Sequence, residues 1–265
     1  MPYQVQVVAD SLSSEGKRLT SMLVSFPRIV LAEFNTHRVF SRNTASSRAI
    51  PVAKIMDRVM ADPFVPSYWG KAQKGMEASQ QIPEEQRPKA SAIWLESRDL
   101  MLGKAKELMD LGVHKQITNR LLEPWLYTTV LVTSTSYRNF FHLRNNPKAQ
   151  PEIRTIASMM QEAYLNSVPS FKGEGEWHLP FLRPEDLNWD EDQIRKILTA
   201  RCARLSYMTH DGKRDPLDDL RLHDDLARDE HWSPFEHIAT PCVGRHGNFD
   251  GWKQYRQMVD LASYT

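Results

Sequence analysis

The sequence predicts a mixed α+β fold, an antiparallel sheet with flanking helices. Three observations carry this. Residues 3–8 (Y-Q-V-Q-V-V) alternate, and residues 20–25 (T-S-M-L-V-S) form a second strand pattern across the polar turn S-L-S-S-E-G-K. The run 126–133 (L-Y-T-T-V-L-V-T) is β-branched and reads as a strand or a buried helix. The stretches 89–111, 150–166 and 215–229 repeat apolar residues at helical spacing.

The elements follow in order. Pro27 opens an apolar run, 28–34, whose length fits a buried helix or a strand. A polar loop then runs to Pro51. Val52, Ile55, Met56, Val59 and Met60 give a helix over 52–61. Between Asp62 and Pro88, four prolines with Gly70 and Gly75 predict a long irregular segment, a lid or an oligomer contact. The helix at 89–111 carries Ile93, Leu95, Leu100, Met101, Ala105, Leu108 and Met109, and Gly112 stops it. A short helix spans 114–122, ending before Pro124. Ser134 or Ser136 caps a helix through N-F-F-H-L-R. Ile153, Ile156, Met159, Met160 and Ala163 line the helix at 150–166. Residues 167–192, with three prolines and an acid-rich end, read as a connector. A helix at 191–199 enters A-R-C-A-R-L-S-Y, and one at 215–229 enters H-W-S-P-F-E-H. The tail 249–264 has Phe249, Trp252, Tyr255, Met258 and Val259 at helical spacing.

Composition narrows the function classes. The chain has 265 residues, 41% hydrophobic and 25% charged, which suits one or two globular domains with a sizeable core. A net charge of +1 argues against a nucleic-acid coat but leaves room for a local anion site. Two cysteines, Cys202 and Cys242, make no disulfide framework and no metal set, and nothing beside either marks an activated thiolate. The start lacks a signal-peptide pattern and no run reaches membrane-spanning length, so a cytoplasmic protein is expected.

Four constellations carry chemistry. The span Phe34–Arg48 (F-N-T-H-R-V-F-S-R-N-T-A-S-S-R) places His37, Arg38, Arg42 and Arg48 among hydroxyls and amides, with no acidic residue. Guanidinium forks and hydroxyls in one short span suit phosphate oxygens, and a solvated basic loop is the competing reading. Residues 139–154 (N-F-F-H-L-R-N-N-P-K-A-Q-P-E-I-R) put Arg144 at a helix end, where satisfying the helix dipole is the bland alternative. Arg120 in N-R-L-L-E-P is ordinary by itself. The segments A-R-L-S-Y (203–207) and H-W-S-P-F-E-H (231–237) hold two histidines and a glutamate, but Pro234 breaks any helix that aligns them for zinc. No dinucleotide-binding glycine pattern, nucleophile elbow or P-loop occurs.

Taken together these pieces resemble the flavin-dependent thymidylate synthases. That family carries R-H-R, seven residues, then S, usually followed by G-R; T-H-R-V-F-S-R-N-T-A-S-S-R matches apart from its first position. Asn139–Arg154 is similar to the family's N-F-L-x-L-R…A-Q-W-E-I-R, with Pro151 in place of Trp, and N-R-L-L-E-P echoes A-R-I-V-L-P. The A-R-x-S-Y and S-P-F-E-H segments precede the R-H-R motif in the family and come last here. The order implies a circularly permuted, thymidylate-synthase-complementing-like fold. The implied layout is a single catalytic domain, 1–265, with a motif-bearing part (1–166), the connector 167–192 and a displaced part (193–265).

The resemblance implies reductive methylation of dUMP at C5 to dTMP, with FAD as cofactor, methylenetetrahydrofolate and NADPH as co-substrates, and a homotetramer. It implies that Ser46, Ser47, Arg48, Arg120 and Arg144 hold the nucleotide, with Arg144 also catalytic. His37, Arg38, Asn139, Ser206, His231, Ser233 and Glu236 would contact the flavin side. A guanidinium stabilising charge on the pyrimidine carbonyl makes C5 nucleophilic without a cysteine.

Departures fall on the flavin side. Thr36 replaces the first Arg of R-H-R, removing a contact worth about 1.5–3 kcal/mol if charged. Glu33 stands where the family has Gln, and an acid there repels a flavin diphosphate. Gln254 and Arg256 are candidates to refill those roles, against a packed amphipathic end helix. The alternatives are a folate-dependent C5-hydroxymethylase, or a degenerate homologue that binds nucleotide without turnover.

Overall fold

The first two strands pair as the alternation predicts. In a computed structural model describing residues 3–206, 215–260 and 262, β1 (Gln4–Ser13) and β2 (Arg18–Pro27) form an antiparallel hairpin. Gly16 makes the turn at φ +71, a conformation that glycine adopts without steric cost. Pro27 ends β2, and the apolar run after it becomes a 3-10 turn (Arg28–Val30) and α1 (Leu31–Asn35). The middle of the basic loop is a short strand, β3 (Ser41–Thr44), with Ser41 and Asn43 buried. Next come α2 (Val52–Ala61), α3 (Arg87–Asp110), α4 (Lys115–Thr118) and a 3-10 turn over Asn119–Trp125 that contains Pro124. Then follow β4 (Tyr127–Ser134), α5 (Arg138–Arg144), α6 (Pro151–Asn166), β5 (Ser170–Lys172), α7 (Glu191–Ala203), α8 (Pro216–Arg228), β6 (Ala239–His246) and β7 (Phe249–Gln254).

The sheet has the order β3-β4-β2-β1-β5. It is antiparallel except for β5, which joins β1 in parallel and makes the sheet mixed. Val130, Leu131 and Val132 are fully buried, so β4 is covered on both faces, which is why it reads as a continuous apolar run. One face packs Met22, Val24, Phe26 and Val132 against Phe140, Ile153, Ile156 and Met160 of α5 and α6. On the other, Leu131 meets Cys202 and Leu205. Cys202 is buried, and burial pushes its thiol pKa up.

Several expectations are corrected. The tail is not a helix from 249: Phe249–Gln254 is a strand paired with β6, followed by a 3-10 turn at Tyr255–Gln257. Gly251 sits at φ +77, where a Cβ would strike the Lys17 side chain, so this backbone bends against the hairpin. In α3 only Leu102 and Ala105 are buried, while Ile93, Leu100 and Met109 are exposed, because α3 docks along a narrow seam with Trp94 and Met101. No serine side chain caps α5. Tyr137 holds the N-cap position, and Ser134 Oγ accepts from the Ser136 N–H instead.

The connector is also more than a tether. It contributes β5, and Asp186 within it receives a bidentate bond from Arg201 of α7 (Nη1–Oδ2 2.5 Å, Nη2–Oδ1 2.6 Å). Both side chains are at most 10% exposed, and Asp219 of α8 lies 3.7 Å from Arg201. Removing one partner strands a buried charge. Asp186→Asn is expected to lower the unfolding free energy by about 3–5 kcal/mol in urea titration. The paired Asp186→Leu/Arg201→Leu change is expected to cost less than the single one.

Candidate active site

Two clusters gather the predicted residues, one at each end of β3. At its N-terminal end, α1 delivers Thr36 and His37, and α5 delivers Arg144 from the opposite side. Arg144 Nε donates to His37 Nε2 at 3.0 Å, and its Nη2 donates to Thr36 Oγ1 at 3.2 Å. An arginine N–H only donates, so His37 Nε2 is the acceptor and its ring proton sits on Nδ1. Thr36 Oγ1 in turn donates to the Glu33 carbonyl at 2.6 Å. The residue that breaks the R-H-R signature therefore positions Arg144.

His37 is buried, with its ring edge-on to Phe140 at 5.0 Å. Burial, then the charges of Arg144 and Arg42, lower its pKa to about 4, so it is a neutral acceptor near pH 7. Arg42 closes the end of α1, donating to the Asn35 carbonyl at 2.7 Å. Arg144 is half-buried and forms no ion pair with an acid among the described residues. Its Nη1 is free to donate to an incoming oxygen. Arg38 and Asn139 are exposed near this end. Glu33 Oε2 is shielded from solvent and has no hydrogen-bond partner.

At the other end of β3 lie Ser46, Ser47 and Arg48. Asn119 is buried and donates to the carbonyls of Ser47 (2.8 Å) and Ile50 (3.0 Å), which fixes this turn. Glu123 then changes the picture that the sequence suggests. Its Oε1 accepts from Ser47 Oγ at 2.8 Å and Arg120 Nη1 at 2.8 Å, and lies 2.9 Å from Arg28 Nη2. An internal carboxylate thus holds two of the residues assigned to the nucleotide. Arg48 is exposed. Ser46 and Ser47 line a small cavity of about 50 Å³ with Arg28, Arg58 and Tyr127. Sequence reasoning missed Arg28, Arg58 and Glu123. The available signal was an acid inside N-R-L-L-E-P and an arginine directly after Pro27.

The displaced segment packs against β3 and β4. His231 and Ser233 are exposed, whereas Glu236 is half-buried, accepts from Arg256 Nη1 at 2.5 Å and lies near Arg42. Gln254 is buried and donates to Ser41 Oγ (3.1 Å) and Asn248 Oδ1 (3.0 Å), tying β7 to β3. It and Arg256 are engaged in these internal contacts. The side chain of Ser206, and Tyr207, lie outside the described residues.

His237 ends a buried chain of polar groups. Its Nδ1 meets Thr133 Oγ1 at 2.8 Å, Thr133 meets Ser21 Oγ at 2.5 Å, and Ser21 meets His178 Nε2 at 2.8 Å. His178 Nδ1 then meets Ser11 Oγ at 2.9 Å. Burial lowers the pKa of both His178 and His237 to about 3. His237 Nε2 has no hydrogen-bond partner. Among the described residues, no group of three or more His, Cys, Asp or Glu side chains is placed to hold a metal ion. Nor, among them, is any helix long and apolar enough to cross a membrane.

Comparison with known proteins places this geometry in context. A family model described as thymidylate synthase complementing protein matches residues 17–170. None of the curated proteins compared matches the chain. Among solved structures, the chain is similar to a UMP/dUMP methylase, PolB from Streptomyces cacaoi, bound with 5-Br dUMP. The identity is 16% over 61% of this chain and 89% of that one, with a TM-score of 0.50, which speaks to the fold. The same protein bound with 5-Br UMP aligns at 17% identity over 61% and 88% of the two chains, with a TM-score of 0.49.

Proposed function

The chain belongs to the thymidylate synthase complementing protein family, and from that premise we propose that it is a methyltransferase acting at C5 of a pyrimidine nucleotide. The reaction we assign is reductive methylation of dUMP to dTMP, with FAD, methylenetetrahydrofolate and NADPH. A UMP/dUMP methylase of the same fold supports the choice of a pyrimidine nucleotide.

The observation that carries the reading is the held but unneutralised guanidinium of Arg144. His37 and Thr36 fix two of its donors, which leaves Nη1 for a carbonyl oxygen. Negative charge that builds on the pyrimidine carbonyl when a hydride or nucleophile adds at C6 makes C5 nucleophilic toward the one-carbon unit, and a preorganised guanidinium stabilises that charge. Neutral His37 accepts from Arg144 without competing for that charge. Ser46, Ser47, Arg48 and Arg120 bind the remainder of the nucleotide.

Arg38, Asn139, His231 and Ser233 are exposed and offer donors suited to the phosphates of a flavin. Glu236 borders the same side. A reduced flavin held there would supply the hydride. Arg144→Ala is expected to lower tritium release from C5-labelled dUMP by about 10²–10³-fold. Undiminished release from that variant would overturn the role given to Arg144.

We read the chain as one permuted catalytic domain. The family match ends at residue 170, and residues 193–265 pack on β3 and β4, which supports that reading. The two clusters are separated by a four-residue strand, roughly 13 Å at about 3.3 Å per residue. Sites completed by a second copy, as in a homotetramer, accommodate that separation.

Glu33, whose Oε2 is shielded from solvent without a donor, favours a second reading, C5-hydroxymethylation, which keeps the nucleotide site and needs no net hydride. Product mass decides, since a hydroxymethyl group adds an oxygen and a methyl group does not.

A further inference from the structure

The cavity of about 50 Å³ beside Ser46 and Ser47 is walled by two arginines, Arg28 and Arg58, that lie in none of the motifs carrying the family resemblance. We propose that Arg28 and Arg58 clamp the phosphate of the substrate nucleotide there, and that this clamp selects a monophosphate over a diphosphate. This rests on the pyrimidine-nucleotide reading above and adds to it two residues and a selection.

Size sets the first limit. One water-sized occupant takes about 10–15 Å³. The cavity therefore has room for roughly three to five oxygen atoms, which is one phosphate group. A second phosphate has to lie outside it.

Donors set the second limit. Arg28 directly follows Pro27, the last residue of β2, and its side chain is only 14% exposed. Its Nη2 lies 2.9 Å from Glu123 Oε1. Its Nη1 donates to Thr128 Oγ1 at 3.5 Å, the long limit of a hydrogen bond. A phosphate oxygen is a stronger acceptor than that hydroxyl and takes the donor over. Arg58 comes from α2. Ile55 and Arg58 stand three residues apart on that helix and both line the cavity, as neighbours on one helix face do. Arg58 is half-buried, and burial lowers its pKa. A place in the last turn of α2 also suits the helix dipole, but the dipole does not require the side chain to wall a cavity.

Among the described residues that line the cavity there is no acid. Two carboxylates stand nearby. Glu123 holds one edge of Arg28, and Asp62 acts, after burial, to raise the pKa of the Tyr127 phenol. Neither is part of the wall.

The arginines of the motifs are placed differently. Arg48 is exposed, and Arg120 is 50% exposed along its side chain and tied to Glu123. Water and salt screen such charges, so they draw a nucleotide in without telling one phosphate from two. Guanidinium forks held in a wall offer their donors in fixed directions and can discriminate.

The test is calorimetry of the full chain with dUMP, dUDP, deoxyuridine and inorganic phosphate. The wild type is expected to bind dUMP at least about tenfold tighter than dUDP and about a hundredfold tighter than deoxyuridine. Inorganic phosphate is expected to bind and to compete with dUMP. Arg58→Gln is expected to lose about ten- to a hundredfold in dUMP affinity, to keep deoxyuridine within about twofold, and to abolish the competition by phosphate. Should Arg58→Gln fold poorly, Arg58→Lys keeps the charge and removes the fork. It is expected to bind dUMP about tenfold weaker and to prefer it to dUDP by no more than about twofold. Wild-type affinity for dUMP in both variants, or equal binding of dUDP and dUMP by the wild type, overturns the proposal. Phosphate binding that depends on Arg58, without any dUMP binding, upholds the clamp and overturns the nucleotide reading. Tritium release from C5-labelled dUMP with a dUMP affinity indifferent to Arg58 overturns the clamp alone.

Discussion

Lowering the pH from 7 to 4.5 is expected to remove several kcal/mol of unfolding free energy. His178 and His237 are fully buried with folded pKa values of about 3, and His37 is buried with a value of about 4. Each group titrates near 6.5 once unfolded. Between those limits the unfolded chain binds protons that the folded chain refuses. Stability therefore rises with pH across the window from about 3 to 6.5, and it is lost as pH falls through it. Each histidine contributes about 2–3 kcal/mol of loss at pH 4.5. His223, whose pKa burial also lowers, adds in the same direction. Urea midpoints measured from pH 7.5 to 4.5 check this. His178→Gln is expected to flatten the slope by about a third, since one of three equal contributions disappears. A flat profile from pH 7 to 5 would contradict the neutral burial of these rings.

The second large effect is expected at Glu123. Its carboxylate oxygen is shared by Ser47, Arg120 and Arg28, the last only 14% exposed along its side chain. One negative charge offsets two positive ones, and it stands where a nucleotide phosphate is expected. A phosphate about 5 Å from a carboxylate is repelled by roughly 3 kcal/mol per unit charge at an effective dielectric of 20. Exposure of Arg120 and Glu123 reduces this. Glu123→Gln is expected to tighten dUMP binding by about tenfold and leave deoxyuridine binding nearly unchanged. It is also expected to destabilise the protein by about 1–3 kcal/mol, because Arg28 loses its counter-charge. Calorimetry with both ligands, beside a urea titration, separates the two effects. Weaker dUMP binding in the variant would mean that Glu123 organises the cradle rather than competes for it.

Much of the fold was legible because local pattern and tertiary role agree. The hairpin of β1 and β2 alternates, α6 has one apolar face, and β4 is apolar throughout because both its faces are covered. The tail misled because Phe249, Trp252 and Tyr255 sit three apart, a spacing that satisfies a helix, while the glycines around them dictate a hairpin. In α3 the periodicity was real but only a narrow seam is buried within this chain. At the site, residue types were readable and partners were not. The bond from Arg144 to His37 joins positions 107 apart in sequence. Thr36 looked like a lost contact and proves to anchor Arg144. Glu123 was visible as a charge, but its three partners come from separate elements.

The buried chain from Ser11 through His178, Ser21 and Thr133 to His237 has a consequence for synthesis. Ser11, Ser21 and Thr133 lie on β1, β2 and β4, in the first half of the sequence, whereas His178 and His237 follow them. As the chain leaves the ribosome, β4 and its neighbours are complete while the face meant for Cys202, Leu205 and His237 is still bare. Until the segment carrying them arrives, Leu131 lacks Cys202 and Leu205, and Thr133 lacks His237. Chains halted before residue 190 carry a sticky, half-satisfied sheet, the kind of species that aggregates or recruits chaperones. Because these covering residues follow the strands they cover, synthesis of the segment beyond residue 190 is the step that seals the sheet.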